Sequence, residues 1–297
     1  MMERITEIAA MRDRVAAWRQ AGLRVGFVPT MGNLHGGHLA LVEEALERSD
    51  RVVVSIFVNP TQFGPNEDYA TYPRTEAADC AALQAQGVHA VFLPAAEAMY
   101  PDGAGLRTRV EVPELSNILC GASRPGFFTG VATVVTKLLN IVQPDLAIFG
   151  LKDYQQLLVI QRLVRDLNLP VDIIGGPIAR EPSGLAMSSR NAYLTEDEHR
   201  RAPALYETLC FIAEQLAVGG QDPARLLEAG IDRLRAAGME PDYLEIRRAE
   251  DLGEPAAGER ELVIPAAAYL GRARLIDNVR VSLPSPGLMA TASTEAT

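Results

Sequence analysis

Apolar and polar positions follow a block pattern along the first two-thirds of the chain. Five short runs are almost continuously apolar and rich in β-branched residues, which is typical of strands covered on both faces. Between them, apolar residues recur at the three- and four-residue spacing of helices. The predicted strands are 24–30, 51–58, 89–93, 146–150 and 171–175, and the predicted helices are 38–48, 75–86, 130–142 and 154–167. This alternation predicts βαβ units and a doubly wound parallel sheet.

The pattern changes near Arg180. Thr195 and Glu198 have the spacing of a capping box, which marks a helix start. Helices are expected at 196–217 and 222–237, followed by strands at 243–247, 261–268 and 273–281. The predicted organisation is an α/β domain over 1–182, a smaller α+β domain over 183–284, and a disordered tail over 285–297. That tail is rich in Ser, Thr, Ala, Pro and Gly and has little apolar surface to bury.

Composition narrows the function classes. The 297 residues are enough for two domains, and the formal net charge of -10 argues against a nucleic-acid partner, which needs a basic face. No apolar run approaches the roughly 20 residues that span a bilayer. Charges at Glu3, Arg4 and Glu7 interrupt any signal-peptide core, so we expect a cytoplasmic protein without a membrane partner. Its substrates are expected to be small molecules.

The three cysteines, Cys80, Cys120 and Cys210, are odd in number and form no Cys-x-x-Cys pair. This usage is typical of reduced, structural thiols in a cytosol and not of a disulfide framework or a zinc ribbon.

Two of the four histidines directly follow the first predicted strand, in the segment PTMGNLHGGH that ends at His38. Sheets of this type bind ligands at strand carboxyl ends, where the next helix offers unpaired N–H groups to phosphate. His35 and His38 are three residues apart and share one face of that helix. The pattern resembles the HIGH motif of adenylate-forming nucleotidylyltransferases. A metal pair, or a capped helix with incidental histidines, are the alternatives. Neither a P-loop nor a G-x-G-x-x-G segment occurs.

Polar residues also follow the second strand. Asn59 and Gln62 offer amide donors and acceptors that suit a substrate with hydroxyl and carboxylate groups. The alternative is turn chemistry, which Asn-Pro favours at Asn59 but which does not explain Gln62.

A Lys-Asp pair follows the fourth strand, and Gln156 lies one turn further on. Lys152 can neutralise phosphate charge, and Asp153 can cap the next helix or hold a ribose or magnesium. The alternative is a solvated helix cap. Near the predicted domain junction, GLAMSSRN resembles a degenerate KMSKS loop, whose hydroxyls and guanidinium close on a triphosphate. Alone, that segment is only a turn.

Together these segments resemble the pantothenate synthetase family over roughly residues 20–283. PTMGNLHGGH is close to its nucleotide motif and SIFVNPTQFGPNEDYATYPRT to its pantoate segment, and RPGFFTGVATVVTKLLNIVQPDLAIFGLKDYQQL and GLAMSSRNAYL follow in order. Two positions depart from the family pattern. Phe127 stands where the family usually has histidine, and Leu151 replaces a polar or acidic residue.

The resemblance implies a Rossmann-like α/β fold with a smaller C-terminal α+β domain, and roles for the matching positions. It makes His38 the candidate general acid and His35 a phosphate ligand, with Lys152, Ser188, Ser189 and Arg190 as further catalytic residues. The implied ATP site consists of Met31, Gly32, Asn33, Leu34, His35, Gly36, Gly37, His38, Gly150, Leu151, Lys152, Asp153, Ala179, Met187, Ser188, Ser189 and Arg190. The implied substrate site consists of Gln62, Gln156, Asn59, Tyr72 and Arg124, and Asp79 is a candidate magnesium-side carboxylate.

The same resemblance implies an ATP- and Mg²⁺-dependent ligase that forms pantoyl adenylate and passes it to β-alanine, and it implies a homodimer. Two rival hypotheses remain at this stage. One is another HIGH-type nucleotidylyltransferase, which would need no β-alanine. The other is a nucleotide-binding regulatory module, for which the polar residues should have decayed. An aminoacyl-tRNA synthetase is disfavoured because the chain has no basic extension.

Overall fold

A six-stranded parallel sheet organises the first of two units into which the chain divides. The computed structural model describes residues 1–65, 67–103 and 107–284. The first unit comprises Met1–Arg180 and Met187–Ser189, and the second comprises Glu181–Ala186 and the chain from Arg190. The predicted tail 285–297 lies outside the described residues. The predicted boundary at residue 182 falls in the segment where the chain passes from one unit to the other.

The elements of the first unit alternate as the sequence pattern indicates. In chain order they are β1 (Glu3–Ile5), α1 (Ile8–Gln20), β2 (Val25–Thr30), α2 (Gly36–Arg48), β3 (Arg51–Ile56), α3 (Glu76–Ala85), β4 (Ala90–Phe92), α4 (Ala96–Met99), α5 (Pro113–Ser116), α6 (Cys120–Ser123), α7 (Phe127–Val142), β5 (Leu146–Gly150), α8 (Tyr154–Asp166) and β6 (Asp172–Gly176). Single 3₁₀ turns occupy Pro60–Gln62 and Leu151–Asp153. The predicted parallel α/β sheet is confirmed.

Strand order in this sheet is β1-β4-β3-β2-β5-β6, with every described pairing parallel. From β2 the chain builds outward through β3 and β4, then returns to the other side of β2 for β5 and β6. The strand order therefore reverses between β2 and β5, and open α/β sheets bind ligands outside the strand carboxyl ends at such a reversal. Fully buried side chains such as Val28, Val54 and Ile148 fix the three central strands in the core.

The edge strand β1 and helix α1 extend the predicted pattern. β1 pairs with β4 in register from Glu3 opposite Ala90. Its three residues are too few to give a periodic pattern. In α1 the buried residues Met11, Val15 and Trp18 recur at helical spacing among charged neighbours.

The second unit packs helices on an antiparallel sheet. Its elements are α9 (Glu196–Arg201), α10 (Ala204–Val218), α11 (Pro223–Ala236), β7 (Glu240–Leu244), β8 (Arg247–Arg248), β9 (Glu261–Leu270) and β10 (Ala273–Ser282). A 3₁₀ helix at Ser189–Tyr193 begins with the last residue of the first unit and continues into the second. Strands β7 and β8 both pair with β9, which also pairs with β10. Leu209, Ile212 and Leu234 fill the core between helices and sheet. The predicted α+β class is confirmed.

Two boundaries in this unit differ from the prediction. The capping box is present, with the Thr195 N–H donating to Glu198 Oε2 at 2.8 Å. The helix it starts ends at Arg201, and α10 begins at Ala204 after Pro203. The single helix predicted over 196–217 was wrong because a proline cannot donate to the preceding turn. The strand predicted over 243–247 is likewise split into β7 and β8.

None of the three cysteines forms a disulfide, and Cys80 and Cys120 are buried. Within the described ranges, no helix is both long enough and apolar enough to cross a membrane.

Candidate functional site

The carboxyl ends of β2, β3 and β5 carry the polar segments that the sequence pattern singled out. β2 pairs with β3 on one side and with β5 on the other. The histidine segment follows β2, the Asn59–Gln62 turn follows β3, and the Lys152–Asp153 pair follows β5. Parallel strands end at the same edge of a sheet, so these segments meet there.

The turn between β2 and α2 is held in an unusual backbone conformation. Gly32 has φ 82° and Asn33 has φ 51°, both in the left-handed region. A Cβ on Gly32 would lie 2.9 Å from a methyl group of Ile56. Thr30 Oγ1 receives the Gly32 N–H at 3.2 Å and donates to the Ser55 carbonyl at 2.8 Å. The turn is thereby fastened to β3, and the backbone reaches α2 without a bulky side chain in its path.

Asp79, at the start of α3, anchors the same turn from the other side. It is 3% exposed. Its two carboxylate oxygens accept the N–H groups of Asn33 and Leu34, each at 2.9 Å, and the Thr75 hydroxyl donates to both at 3.1 Å. Asp79 therefore holds in place the turn between β2 and α2, residues 31–35, which we call the nucleotide turn because it belongs to the predicted ATP site. Its predicted place beside magnesium stays a prediction, and its oxygens already carry these bonds.

The two histidines cap helix α2 with their own side chains. His35 is the N-cap residue, and its Nδ1 accepts the Gly37 N–H at 3.1 Å. His38 Nδ1 accepts the His35 N–H at 3.4 Å, and the two ring centroids are 4.1 Å apart. A backbone N–H can only donate, so both Nδ1 atoms must be unprotonated. The remaining proton of each neutral ring is therefore on Nε2, where it is available as a donor.

The surroundings keep both imidazoles neutral. Burial lowers the pKa of His38 to about 3, and His35 and Lys152 contribute to the same shift. Burial and Lys152 also lower the pKa of His35, although Asp153 opposes the shift. Lys152 therefore lies close enough to act electrostatically on both rings. The lowered pKa keeps His38 neutral, and a neutral ring whose Nδ1 accepts an N–H can donate a hydrogen bond from Nε2. Its predicted role as general acid stays a prediction.

Gly150, Leu151, Lys152 and Asp153 form the turn from β5 into α8. Asp153 is the N-cap residue of α8, yet its side chain makes no capping hydrogen bond. The exposed Asp153 carboxylate therefore does not act as a helix cap, which was the alternative to a binding role. Leu151, one of the two departures from the family pattern, packs its side chain 3.0 Å from where a Cβ on Gly175 would lie. Its role is consistent with packing against β6.

Asn59 and Gln62 are joined after β3. Asn59 is the N-cap of the 3₁₀ turn Pro60–Gln62, and its Nδ2 donates to Gln62 Oε1 at 3.0 Å. The Gln62 Nε2 faces the sulfur of Met31 at 3.3 Å, which brings the β3 turn to the histidine segment. The turn-chemistry alternative is thus correct for Asn59, which also orients Gln62. The 3₁₀ turn rests on α7, where a Cβ on Gly130 would lie 2.3 Å from the Thr61 carbonyl oxygen.

Arg124 is committed to protein partners in this structure. Its Nε donates to Glu67 Oε1 at 2.6 Å, and its Nη2 donates to the Gln62 carbonyl at 3.3 Å. The guanidinium carbon lies 3.7 Å from the ring centroid of Phe127. The residue that replaces the family histidine therefore supplies a cation–π platform for Arg124. Tyr72 is buried with its ring edge-on to Phe63 at 5.8 Å.

Gln155 and Gln156 begin α8 with different surroundings. Gln155 is buried, donates to the carbonyls of Leu115 and Ile118, and accepts the Cys120 N–H. It ties the α5–α6 segment to α8, a role that the sequence pattern did not indicate. Gln156 is half-buried in the first turn of α8.

The KMSKS-like segment is split by the division into units. Met187 donates its N–H to the Ala179 carbonyl at 2.9 Å, and its sulfur would lie 2.9 Å from a Cβ on Gly36. The Ser189 hydroxyl donates to the Asn33 carbonyl at 3.3 Å. The segment Met187–Ser189, which includes Ser188, therefore packs on the turn that carries His35 and belongs to the first unit. Arg190 belongs to the second unit.

A switch-point site with a capped His-Gly-Gly-His turn, a nearby lysine and no P-loop defines a nucleotide-using enzyme of the HIGH-motif class. The comparisons with known proteins identify the family. Residues 3–280 match the model of the family described as pantoate-beta-alanine ligase. The chain belongs to this family, and its reaction is the ATP-dependent joining of pantoate to β-alanine through pantoyl adenylate, as the sequence resemblance implied.

Relatives and solved structures agree with this assignment. The chain is 58% identical to a pantothenate synthetase of Alkalilimnicola ehrlichii, over 95% of this chain and 99% of that one. It is 57% identical to one from Pseudomonas aeruginosa, over 95% of this chain and all of that one. A crystal structure of pantothenate synthetase from Thermus thermophilus matches with a TM-score of 0.86 at 47% identity, covering 95% of this chain and 100% of that one.

A Francisella tularensis ligase, solved in complex with beta-gamma ATP and beta-alanine, matches with a TM-score of 0.78 at 38% identity. The match covers 94% of this chain and 97% of that one.

Proposed function

We propose that the first unit carries out adenylate formation with the residues gathered at the β2–β5 reversal. The carboxylate of pantoate attacks the α-phosphorus of ATP in line, which forms pantoyl adenylate and releases pyrophosphate. The amine of β-alanine then attacks the acyl carbon, AMP leaves, and pantothenate forms. Such chemistry needs little covalent help from protein and depends on positioning and charge stabilisation. The observation that carries the proposal is that both Nδ1 atoms accept backbone N–H groups, which leaves Nε2 as the donor of each neutral ring.

The two histidines act as neutral donors to the triphosphate. Their Nδ1 atoms are occupied by the backbone of α2, so each ring is fixed in orientation and tautomer. A donor that is fixed before the reaction costs no reorganisation as charge develops on the leaving pyrophosphate. Lys152 adds a cation near the same rings. We assign His38 a hydrogen bond to this charge rather than a proton transfer.

Gln62 and Gln156 are proposed to bind pantoate. Gln62 presents an amide N–H toward Met31, a thioether that is a weak acceptor and that a substrate oxygen can replace. Tyr72 is proposed to line the same region from the segment after the 3₁₀ turn. Asn59 and Arg124 are proposed to act through Gln62, since one holds its side chain and the other its carbonyl.

The remaining proposed contacts to ATP follow from the positions that match the family's motifs. Asp153, which makes no capping bond, is proposed to hold the ribose hydroxyls. Ser188 and Ser189 are proposed to supply hydroxyl donors to the triphosphate. Arg190 belongs to the second unit, and its implied role stays a prediction. The complex of the Francisella relative with beta-gamma ATP and beta-alanine supports the proposal that this chain binds ATP and β-alanine.

Magnesium is proposed to enter with ATP. Among residues 1–65, 67–103 and 107–284, no group of three or more His, Cys, Asp or Glu side chains could hold a metal ion. The donor set therefore does not fit a protein cage, and the phosphate oxygens would be the principal ligands, as is common for Mg²⁺. Asp79, the one residue predicted to lie beside the metal, uses both carboxylate oxygens to accept the N–H groups of Asn33 and Leu34. We assign the metal no step of its own.

The cysteines and the family resemblance bear on the cellular setting. The three cysteines form no disulfide, which fits a reducing compartment, so we propose a cytoplasmic enzyme. A homodimer is proposed from the family resemblance.

The test is product analysis with all combinations of substrates. Purified protein is incubated with Mg-ATP and D-pantoate, with and without β-alanine, and the products are identified by mass spectrometry. We expect enzyme-bound pantoyl adenylate without β-alanine, and AMP, pyrophosphate and pantothenate when all three substrates are present. Nucleotidyl transfer to other acceptors, without AMP formation from pantoate, would replace the proposal with the rival transferase hypothesis.

A further inference from the structure

Three buried polar side chains form a hydrogen-bonded chain that ends at Gln62. The Tyr100 hydroxyl, just after α4, donates to Asn59 Oδ1 at 2.8 Å. Asn59 Nδ2 in turn donates to Gln62 Oε1 at 3.0 Å. The exposed fractions are 7% for Tyr100, 1% for Asn59 and 9% for Gln62. Water cannot easily replace the hydrogen bonds of such buried side chains, so these bonds persist.

Backbone groups settle which way the Asn59 amide points. The Thr61 N–H, which can only donate, reaches Oδ1 at 3.4 Å. The Gly130 carbonyl, which can only accept, lies 3.3 Å from Nδ2. Of the bonds to Oδ1, the one from Tyr100 is the shortest; the Thr61 hydroxyl donates at 3.0 Å. A donor-only group thus faces Oδ1 and an acceptor-only group faces Nδ2, so the Asn59 amide can have only this orientation.

The orientation of Asn59 determines what Gln62 offers to a ligand. Because Asn59 presents an N–H, Gln62 turns its oxygen inward and its Nε2 outward. That nitrogen faces the Met31 sulfur at 3.3 Å. A thioether is a weak acceptor, so a strong donor faces a weak partner inside the site. A carboxylate or hydroxyl oxygen of a substrate would satisfy it better.

Tyr100 is suited to remain a donor. Burial raises the pKa of its phenol, so the hydroxyl keeps its proton across the physiological range. The Lys137 ammonium lies 5.3 Å from the ring centroid, a cation–π contact that helps to hold the ring. No motif in the sequence marks Tyr100, which is 41 residues from Asn59.

We propose that Tyr100 is a positioning residue for the acid substrate. The backbone sets the orientation of the Asn59 amide, and the hydrogen bond from Tyr100 keeps Asn59 in the place where it holds the Gln62 N–H toward the substrate oxygen. The inference rests on the proposed binding of pantoate by Gln62. It makes Tyr100 a determinant of pantoate affinity, with no role in binding ATP.

The first experiment is steady-state kinetics of Tyr100→Phe. We expect the KM for pantoate to rise about five- to tenfold, the effect of one lost hydrogen bond, while the KM for ATP changes less than about twofold. Tyr269→Phe, an exposed tyrosine in β9, is the matched control and should leave both constants unchanged. A purely structural role would lower the melting temperature of Tyr100→Phe and leave the pantoate KM as it was, which would overturn the inference.

A double-mutant cycle shows whether Tyr100 acts through Gln62. In a Gln62→Ala background, Tyr100→Phe should change the pantoate KM less than about twofold, because the side chain that it orients is gone. Additive effects would overturn the inference. Because the Thr61 hydroxyl shares Asn59 Oδ1, Tyr100→Phe/Thr61→Val should give a larger rise in pantoate KM than Tyr100→Phe. An identical value for the two variants would contradict the relay.

The cycle also separates this inference from the proposed function. If Gln62→Ala itself leaves the pantoate KM unchanged, the proposed binding of pantoate by Gln62 is wrong and the inference fails with it. If Gln62→Ala weakens pantoate binding and Tyr100→Phe does not, only the inference fails.

Discussion

Replacing His38 by three different residues separates its two tasks, which are to cap α2 and to donate from Nε2. Glutamine at this helix position can accept the His35 N–H with its oxygen, as in a capping box, and still offer an amide N–H. Glutamate keeps the acceptor but has no donor. Alanine has neither. Glutamine has no acidic proton, so it can replace a hydrogen-bond donor but not a general acid.

The expected magnitudes follow from the two contacts. Loss of the cap in His38→Ala should lower the free energy of unfolding by about 1 kcal/mol, or about 2–4 °C in melting temperature. Loss of the donor should slow adenylate formation about 10²–10³-fold in the alanine variant. His38→Gln should melt with the wild type and react within about tenfold of it, because both contacts are retained. His38→Glu should also melt with the wild type but be at least as slow as alanine, because its charge repels phosphate.

The assay is single-turnover formation of pantoyl adenylate with enzyme in excess over ATP, sampled by rapid quench. This isolates the chemical step from release of pantothenate. If His38→Gln is as slow as His38→Ala, the ring transfers a proton, and our assignment of a neutral donor is wrong. If His38→Ala reacts at the wild-type rate, the histidine only caps the helix.

Three other predictions concern the supports of the site. Asp79→Asn should leave one N–H of the nucleotide turn without its acceptor and lower the free energy of unfolding by about 2–3 kcal/mol. The exposed Asp232→Asn is its control in thermal melting; an unchanged melting temperature with an altered Mg²⁺ requirement would favour the metal role instead. Gly130→Ala should push the 60–62 turn away from α7, cost about 1–3 kcal/mol of stability and raise the pantoate KM. Gly64→Ala is the control, because a Cβ there would make only ordinary contact at 3.7 Å and should change neither quantity. Equal pantoate KM values for the two variants would contradict the close approach of α7 to the 60–62 turn. Burial lowers the pKa of His35, His38 and His89, so the unfolded chain binds more protons and thermal stability should fall as the pH drops below about 6.5; a flat melting temperature from about pH 7.5 to 5 would contradict this.

The sequence pattern predicted the central sheet well because buried parallel strands are almost continuously apolar. The apolar runs in the sequence predicted the ends of β2, β3 and β5 to within two residues of where the structure has them. The three-residue strand β4 was also found, within the predicted run 89–93, but β1 and the break in the 196–217 helix were not. β1 has three residues, and the predicted 196–217 helix ignored Pro203, which ends one hydrogen-bond ladder and starts another.

The site could be predicted only where its chemistry is local in sequence. His35, His38 and Lys152 follow strands, and strand ends locate ligand sites. The supports of these residues come from afar. Asp79 reaches Asn33 across 46 residues, and Tyr100 reaches Asn59 across 41. A carboxylate in a helix or a tyrosine before a loop has no local pattern that reveals such partners, so the sequence indicated the chemistry but not how it is held.

The reversal of strand order at β2 also constrains when the enzyme can acquire its activity during synthesis. Val25 receives its partner Asp145 from 120 residues further along the chain. At a translation rate of roughly 5–20 residues per second, that segment reaches the ribosome exit some 6–24 s after β2. Until then one edge of β2 is open to wrong pairing, an exposure that invites chaperone binding or aggregation. Lys152 arrives with the same segment, so nascent chains should gain their nucleotide site only when the sheet closes.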